Sequence, residues 1–137
     1  GRVPAGRVDE ESVLGAVDFF PTFCALAGAK LPKGVAFDGE DVSAVWLGKP
    51  AGKRRAPLFW EYGRNEESFN YPQGRDRSPN VAVRDGKWKL LVNASGSGAE
   101  LYDLKADVAE ENNLVAKEAA VARQLSEAAL KWRKSLP

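Results

Sequence analysis

Residues 78–104, SPNVAVRDGKWKLLVNASGSGAELYDL, determine the fold. Val81 and Val83 alternate with small or charged residues before Asp85-Gly86, and Trp88, Leu90 and Val92 occupy alternate positions after it. A period of two is typical of half-buried strands, and an Asp-Gly pair can supply the positive φ angles of a type I′ turn. After the Ser-Gly segment ASGSGA, the segment ELYDL predicts one more strand, with Leu101 on one face and Tyr102 on the other.

A further strand is predicted upstream, over residues 58–62 of the segment PLFWEYG. The segment is aromatic and alternating, which favours a strand. Leu58, Trp60 and Tyr62 fall on one side, and Phe59 and Glu61 fall on the other. The sequence therefore predicts an antiparallel sheet of about four strands.

The last part of the chain has the period of a helix instead. One apolar stripe runs through it, formed by Leu114, Val121, Leu125, Ala128, Trp132 and Leu136. A single stripe on a long helix is typical of a helix that covers one face of a sheet.

Helices are also predicted near the N-terminus. Apolar residues in 11–27 recur at spacings of three and four, with Ser12 as the expected N-cap and Gly28 as the expected stop. Pro21 lies inside this pattern, so we expect a kink there. A second short helix is predicted over 41–47. The fold class is therefore α+β: a small antiparallel sheet packed against a C-terminal helix and preceded by a helical segment.

The composition excludes several classes of function. The 137 residues include 20 basic and 19 acidic side chains, which gives no basic excess for binding nucleic acid. No segment approaches the roughly 18 apolar residues of a membrane helix. There is no histidine, and the one cysteine, Cys24, lies in an apolar run typical of a buried thiol.

Three segments are candidates for chemistry. GSG at 96–98 joins two predicted strands and lacks the lysine of a phosphate-binding loop, so we interpret it as a turn. The carboxylates of DVAEENN lack calcium-loop spacing, and we interpret them as residues at the start of a helix.

The third segment is the long connection 63–80, which together with its border residue Tyr62 is the candidate binding site. Arg64, Arg75 and Arg77 could bind an anionic group, and Tyr62 and Tyr71 could stack on a ring. The alternative interpretation is an exposed polar loop.

Five segments carry a family resemblance: VDFFPTFCALAGAKLP, FDGEDVSAVWLGK, PLFWEYG, AVRDGKWKLL and ELYDLKADVAEENNL. In this order they resemble the C-terminal portion of a formylglycine-dependent sulfatase of the alkaline phosphatase superfamily. The resemblance covers essentially the whole chain and is greatest to bacterial arylsulfatases and N-acetylgalactosamine-6-sulfatase-like members. Val108 and Ala109 depart from the proline and glycine that usually follow the aspartate in this family.

The resemblance implies a larger α/β catalytic domain followed by a small subdomain with a four-stranded sheet and a helix. Residues 1–50 would end the large domain, and residues 51–137 would form the subdomain. Catalysis in the family uses a formylglycine made from a Cys or Ser, together with a calcium ion that polarises the sulfate. Cys24 is followed by Ala-Leu-Ala and does not match that signature, so no catalytic residue and no metal ligand is carried over to this chain.

We therefore expect a C-terminal fragment of a sulfuric ester hydrolase. The parent would hydrolyse aryl or sugar sulfates with calcium and formylglycine, and this chain alone would be inactive, with no cofactor of its own. Its partners would be the parent's N-terminal catalytic domain and, through the parent, a sulfated sugar or aryl sulfate. We expect no nucleic-acid or membrane partner, and we expect self-association through an exposed apolar face.

Two alternatives stay open: a non-catalytic protein-interaction module, and a fragment of a related phosphodiesterase or phosphonate hydrolase. The family resemblance implies a periplasmic or secreted parent, although no signal peptide is visible in this chain.

Overall fold

The computed structural model describes residues 1–50, 52–67, 73–74 and 77–137. They form two compact units, Gly1–Ala56 and Pro57–Pro137. The first unit contains a 3₁₀ turn at Ala16–Asp18, helix α1 at Phe19–Ala27 and helix α2 at Ser43–Trp46. The second contains strands β1 at Leu58–Glu61, β2 at Val81–Asp85, β3 at Trp88–Val92 and β4 at Glu100–Asp103, and then helix α3 at Ala119–Ser135.

The four strands form one antiparallel sheet in the order β1-β2-β3-β4, each strand pairing with the next along the chain. Helix α3 packs on one face of this sheet, where the fully buried core lies, and the core residues are Val81, Val83, Leu90, Val92, Leu101, Ala122, Leu125 and Ala129. Phe59 of β1 stacks on Trp132 of α3 with ring centroids 5.2 Å apart. The predicted α+β class, the alternation of all four strands and the covering helix are confirmed.

The predicted turn of the central hairpin is wrong by one residue. Asp85 is still paired, opposite Trp88, so the two-residue loop is Gly86-Lys87. Gly86 has a φ of 56°, whereas Lys87 is not among the residues of positive φ. One positive φ, at the first loop residue, is the type II′ pattern, not the type I′ pattern that was predicted.

The N-terminal helix is shorter than the periodicity predicts. The helix begins at Phe19, so Pro21 lies in its first turn. The backbone N–H groups of the first turn have no partner within a helix, so a proline there removes no hydrogen bond and causes no kink. Ser12 is no cap; its backbone N–H and hydroxyl both donate to Asp9. The stop at Gly28 is confirmed, because this residue caps α1 with a φ of 68°.

Helix α3 also differs from the predicted stripe. Leu114 precedes the helix, although it still packs against the core. The buried residues of α3 are Ala122, Leu125 and Ala129. The helix face that packs on the sheet therefore contains Ala129, and not Ala128 as the stripe predicted. Within the described residues, no helix combines the length and hydropathy needed to cross a bilayer.

Candidate functional site

The outer face of the sheet, opposite α3, carries two rows of side chains. Pairing between strands places Trp60, Ala82, Leu91 and Glu100 in one row and Leu58, Arg84, Lys89 and Tyr102 in the next. Strand alternation directs these side chains to the face opposite α3, where Leu58, Leu91 and Tyr102 are nevertheless buried. Trp60 is 46% exposed, and Tyr62, two residues further along the chain, is 62% exposed.

A depression of about 460 Å³, here called the outer-face groove, lies on this surface; its lining includes Trp60, Tyr62, Ala82, Arg84, Lys89 and Leu91. Ala82 pairs with Trp60 on one side and Leu91 on the other, and its methyl side chain leaves space between these two larger neighbours. The volume is within the range of small-molecule sites, roughly 300–1,000 Å³.

The charges in the outer-face groove are unequal. Lys89 Nζ lies 2.6 and 2.7 Å from the two carboxylate oxygens of Glu110, so these two charges neutralise each other. Glu110 has a φ of 57°, a conformation that is uncommon without a glycine. Arg84 donates from Nε to Gly86 O at 3.3 Å, and its guanidinium forms no ion pair within the described residues. Arg84 therefore provides the uncompensated charge of the groove.

A second depression of about 640 Å³ adjoins the first, and both share Ser78, Leu91 and Glu110. The residues that line it include Arg77 and three acidic residues, Glu100, Glu110 and Glu111. Tyr102 also lines it and donates a hydrogen bond to Glu100 Oε2 at 2.9 Å. Burial, followed by this bond and the nearby carboxylates, raises the pKa of Tyr102 to about 12, so the phenol stays protonated at neutral pH.

The structure places the predicted site residues in different surroundings. Tyr62 lines the outer-face groove, and Arg77 lines the second depression beside it. Arg64 lies near the end of α3, where Nη2 donates to Pro137 O at 2.8 Å and Nε lies 3.6 Å from Glu61 Oε2. Arg75 and Tyr71 lie outside the described residues. Tyr62 and Arg77 thus line adjoining surfaces, and Arg64 lines neither depression.

Sequence reasoning missed Trp60, Arg84 and Lys89 as candidates. Signals for all three were present. The alternation of β1 placed Trp60 beside Tyr62, and the hairpin pairs Arg84 with Lys89 on the face that the core does not use.

Part of the long connection is anchored to the β3–β4 turn. Asn80 is 2% exposed, accepts a hydrogen bond from Ala94 N and donates one to Asn65 O. The Glu67 carboxylate accepts hydrogen bonds from the hydroxyls of Ser95 and Ser97, which together lower its pKa. Residues 65–67 are therefore held against the turn that contains the Ser-Gly segment.

The acidic segment DVAEENN does not lie at a helix start, so that interpretation is wrong. Helix α3 begins only at Ala119. Asp107 instead accepts backbone hydrogen bonds from Asn112 and Glu111, which lower its pKa and close a turn. Across the described ranges, no three Cys, Asp or Glu side chains lie close enough together to hold a metal ion.

The fold and the sequence together define a class of protein. Residues 1–135 match the family model described as N-sulphoglucosamine sulphohydrolase, C-terminal. The chain belongs to this family of sulfatase C-terminal domains.

Individual relatives support the same assignment. The chain is 55% identical to mouse (Mus musculus) arylsulfatase G over 49 residues, which are 36% of this chain and 9% of that protein. It is 26% identical to an N-acetylgalactosamine-6-O-sulfatase of Bacteroides thetaiotaomicron over 118 residues, 86% of this chain and 23% of the relative. The solved structure of a 2-O GAG sulfatase superimposes with a TM-score of 0.59 at 27% identity, covering 86% of this chain and 25% of the other.

These matches confirm the predicted likeness to arylsulfatases and N-acetylgalactosamine-6-sulfatases. The chain spans at most about a quarter of the length of these relatives. The family model that it matches describes the C-terminal portion of such proteins.

Proposed function

We propose that this chain is the C-terminal part of a parent enzyme that hydrolyses sulfate esters. The observation that carries the proposal is the family match across residues 1–135. In this proposal, residues 1–50 end the large catalytic domain and residues 51–137 form the subdomain beside it. The chain divides into two compact units after Ala56, which supports a division in this part of the sequence.

The cofactors expected in the parent, formylglycine and calcium, do not fit the residues of this chain. Cys24 is half-buried in α1 and followed by Ala-Leu-Ala, which is not the sequence that is converted to formylglycine. The described residues also contain no cluster of metal-ligating side chains. We therefore assign both groups to the rest of the parent.

The proposed role of the chain is structural, with a contribution to the substrate pocket. Tyr62, Arg64, Arg75 and Arg77 are the proposed wall residues, with a sulfated sugar or aryl sulfate as the substrate. The exposure of Tyr62 and the position of Arg77 in an adjoining depression support this role. Relatives named as an N-acetylgalactosamine-6-O-sulfatase and a 2-O GAG sulfatase support a sulfated sugar. The family also leads us to propose a periplasmic or secreted parent.

The test compares the parent with the isolated chain. With calcium and an aryl sulfate, the parent should release sulfate, and the isolated 137 residues should release none above a blank. In the parent, Arg77→Ala should raise KM for a sulfated sugar several-fold, because an arginine that binds the sulfate in the ground state is lost. The exposed Arg123 of α3 provides the matched control, and Arg123→Ala should leave KM unchanged.

Two results would contradict the proposal. Turnover by the isolated chain would refute its inactivity, and a parent that cleaves an aryl phosphonate monoester faster than the sulfate would belong to the related hydrolases instead. Unchanged kinetics of the Arg77→Ala parent would remove this arginine from the substrate pocket.

A further inference from the structure

We propose that the outer-face groove binds a sulfated saccharide chain, with Trp60 and Tyr62 as the stacking surface and Arg84 as the anion-binding residue. This inference rests on the proposed function, because it assumes that the parent acts on sulfated sugars. It adds Trp60 and Arg84 of the sheet to Tyr62, in a groove whose lining also includes Ser78, Pro79 and Asn80 at the end of the long connection.

The aromatic side of the groove is the first argument. Trp60 and Tyr62 are two residues apart on or just after β1, so they share a face and are spaced by about 7 Å. Both are about half exposed or more, although burial of an aromatic side chain is strongly favourable in water. Adjacent exposed rings of this kind offer flat apolar surfaces to the C–H faces of successive sugar rings.

The charge in the groove is the second argument. Arg84 is diagonal to Trp60 across the β1–β2 pair, a separation of about 7–8 Å. Its planar guanidinium matches the oxygens of a sulfate group, and no carboxylate of the described residues pairs with it. A sugar ring on Trp60 can therefore direct a sulfate substituent at Arg84, over the small side chain of Ala82.

The neighbouring charges restrict where an anionic ligand can lie. Lys89 is already neutralised by Glu110, and the second depression presents the carboxylates of Glu100 and Glu111 beside Arg77. Carboxylates repel a sulfate group, so the ligand should follow the side of the groove formed by β1 and β2. This defines an occupant with an apolar ring face and a negative substituent near Arg84.

Binding to the complete 137-residue chain tests the site directly. The probes are a chondroitin 6-sulfate hexasaccharide, its desulfated counterpart and inorganic sulfate, with Kd measured by calorimetry and the indole N–H signals followed by NMR. We expect the sulfated hexasaccharide to bind and to shift the Trp60 signal. Trp60→Ala should weaken binding about fivefold to tenfold, and Trp60→Phe should restore part of it.

Loss of the cation should have a comparable effect. Arg84→Gln should weaken binding about tenfold, the value of a hydrogen bond to a charged group. Arg123→Gln removes the same charge from an exposed position on α3, across the sheet, and should change Kd less than about twofold. A thermal melt of each variant checks that it is folded.

Several results would overturn the inference. One is that the desulfated sugar binds as tightly as the sulfated one, and another is that Arg123→Gln weakens binding as much as Arg84→Gln. A third is that inorganic sulfate competes at the same concentration as the sugar, which would indicate a simple anion site. If Trp60→Ala lowers the melting temperature of the parent without changing KM for the hexasaccharide, the rest of the parent covers this face. In this proposal Trp60→Ala should leave aryl sulfate hydrolysis by the parent unchanged, so failure of this site and failure of the proposed function are distinguishable.

Discussion

Asp18 is the most completely buried carboxylate among the described residues, with no exposed surface. It accepts four hydrogen bonds: two from the Arg54 guanidinium, at 2.7 and 2.9 Å, and one each from the backbone N–H groups of Gly15 and Glu40. Burial raises the pKa of Asp18, but these bonds outweigh burial and hold the pKa below its ordinary value of 3.8. The charged form therefore joins the start of α1 to two distant segments of the first unit.

Replacing Asp18 by Asn should destabilise the first unit by about 3–5 kcal/mol, because the Arg54 charge would stay largely buried without its partner. Urea titration, followed by the amide NMR signals of α1, measures this free energy. Since the native pKa is lowered, the contribution is present above about pH 4 and is lost as the pH falls through the native pKa. The difference between wild type and Asp18→Asn should therefore shrink in acid.

The control for this substitution is Glu10→Gln, which removes an exposed carboxylate of the same unit. It should change the free energy of unfolding by less than about 0.5 kcal/mol. A loss below 1 kcal/mol in Asp18→Asn, or a difference that does not change with pH, would mean that the buried pair contributes little.

Single residues such as Asp18 could not be predicted from sequence. Its partners, Glu40 and Arg54, are 22 and 36 residues away, and no local pattern connects them. The candidate arginines show the same limit: Arg64 and Arg77 lie in one segment of the sequence, but one contacts the end of α3 and the other lines a depression. Residue types in a loop indicate a chemistry, whereas the contacts of each residue depend on the whole unit.

Elements with a regular period were predicted best. All four strands and the face of each were correct, because alternation is a local property and a slip of one residue would expose the apolar side chains. Errors occurred where a local signal competes with packing. Residues 11–18 continue the apolar period of α1 but form no α-helix, and the helix begins two residues before Pro21, where a proline is tolerated.

The loop of the central hairpin provides a test at the level of an element. Gly86 has a φ of 56°, and a Cβ there would meet no atom within 4 Å, so a side chain would cause backbone strain without any clash. Gly86→Ala should lower the free energy of unfolding of the second unit by about 1–2 kcal/mol. Urea titration monitored by the amide signals of β2 and β3 measures the change.

Gly52→Ala is the matched control for the hairpin. Gly52 also has open space for a Cβ, and its φ is not in the left-handed range. This substitution should be neutral or slightly stabilising, since alanine reduces the entropy of the unfolded chain. Equal effects of the two substitutions would show that the positive φ of Gly86 does not control the stability of the hairpin.

Several large apolar side chains are exposed in the described part of the chain. The largest group lies on α1, which buries Pro21 and Thr22 but leaves Phe19, Phe20 and Phe23 about half exposed. These rings contact one another or nearby aromatic residues, with Phe23 edge-on to Trp46 at 5.5 Å. An exposed aromatic surface of this kind is typical of an interface. The chain spans about a quarter of the length of a relative such as the N-acetylgalactosamine-6-O-sulfatase. We therefore propose that the rest of the parent covers this surface.

Without that partner, we expect the isolated chain to self-associate through α1, in a manner that depends on concentration. Phe23→Gln should weaken association about tenfold, because transfer of a half-exposed phenyl ring out of water contributes roughly 1–2 kcal/mol. Sedimentation equilibrium measures the association constant.

Val108→Gln is the control, because Val108 is 85% exposed and lies outside α1. A chain that stays monomeric at high concentration, or equal effects of the two substitutions, would show that the aromatic surface of α1 does not drive association. In the parent, both substitutions should leave the mass unchanged, since the rest of the catalytic domain would already cover α1.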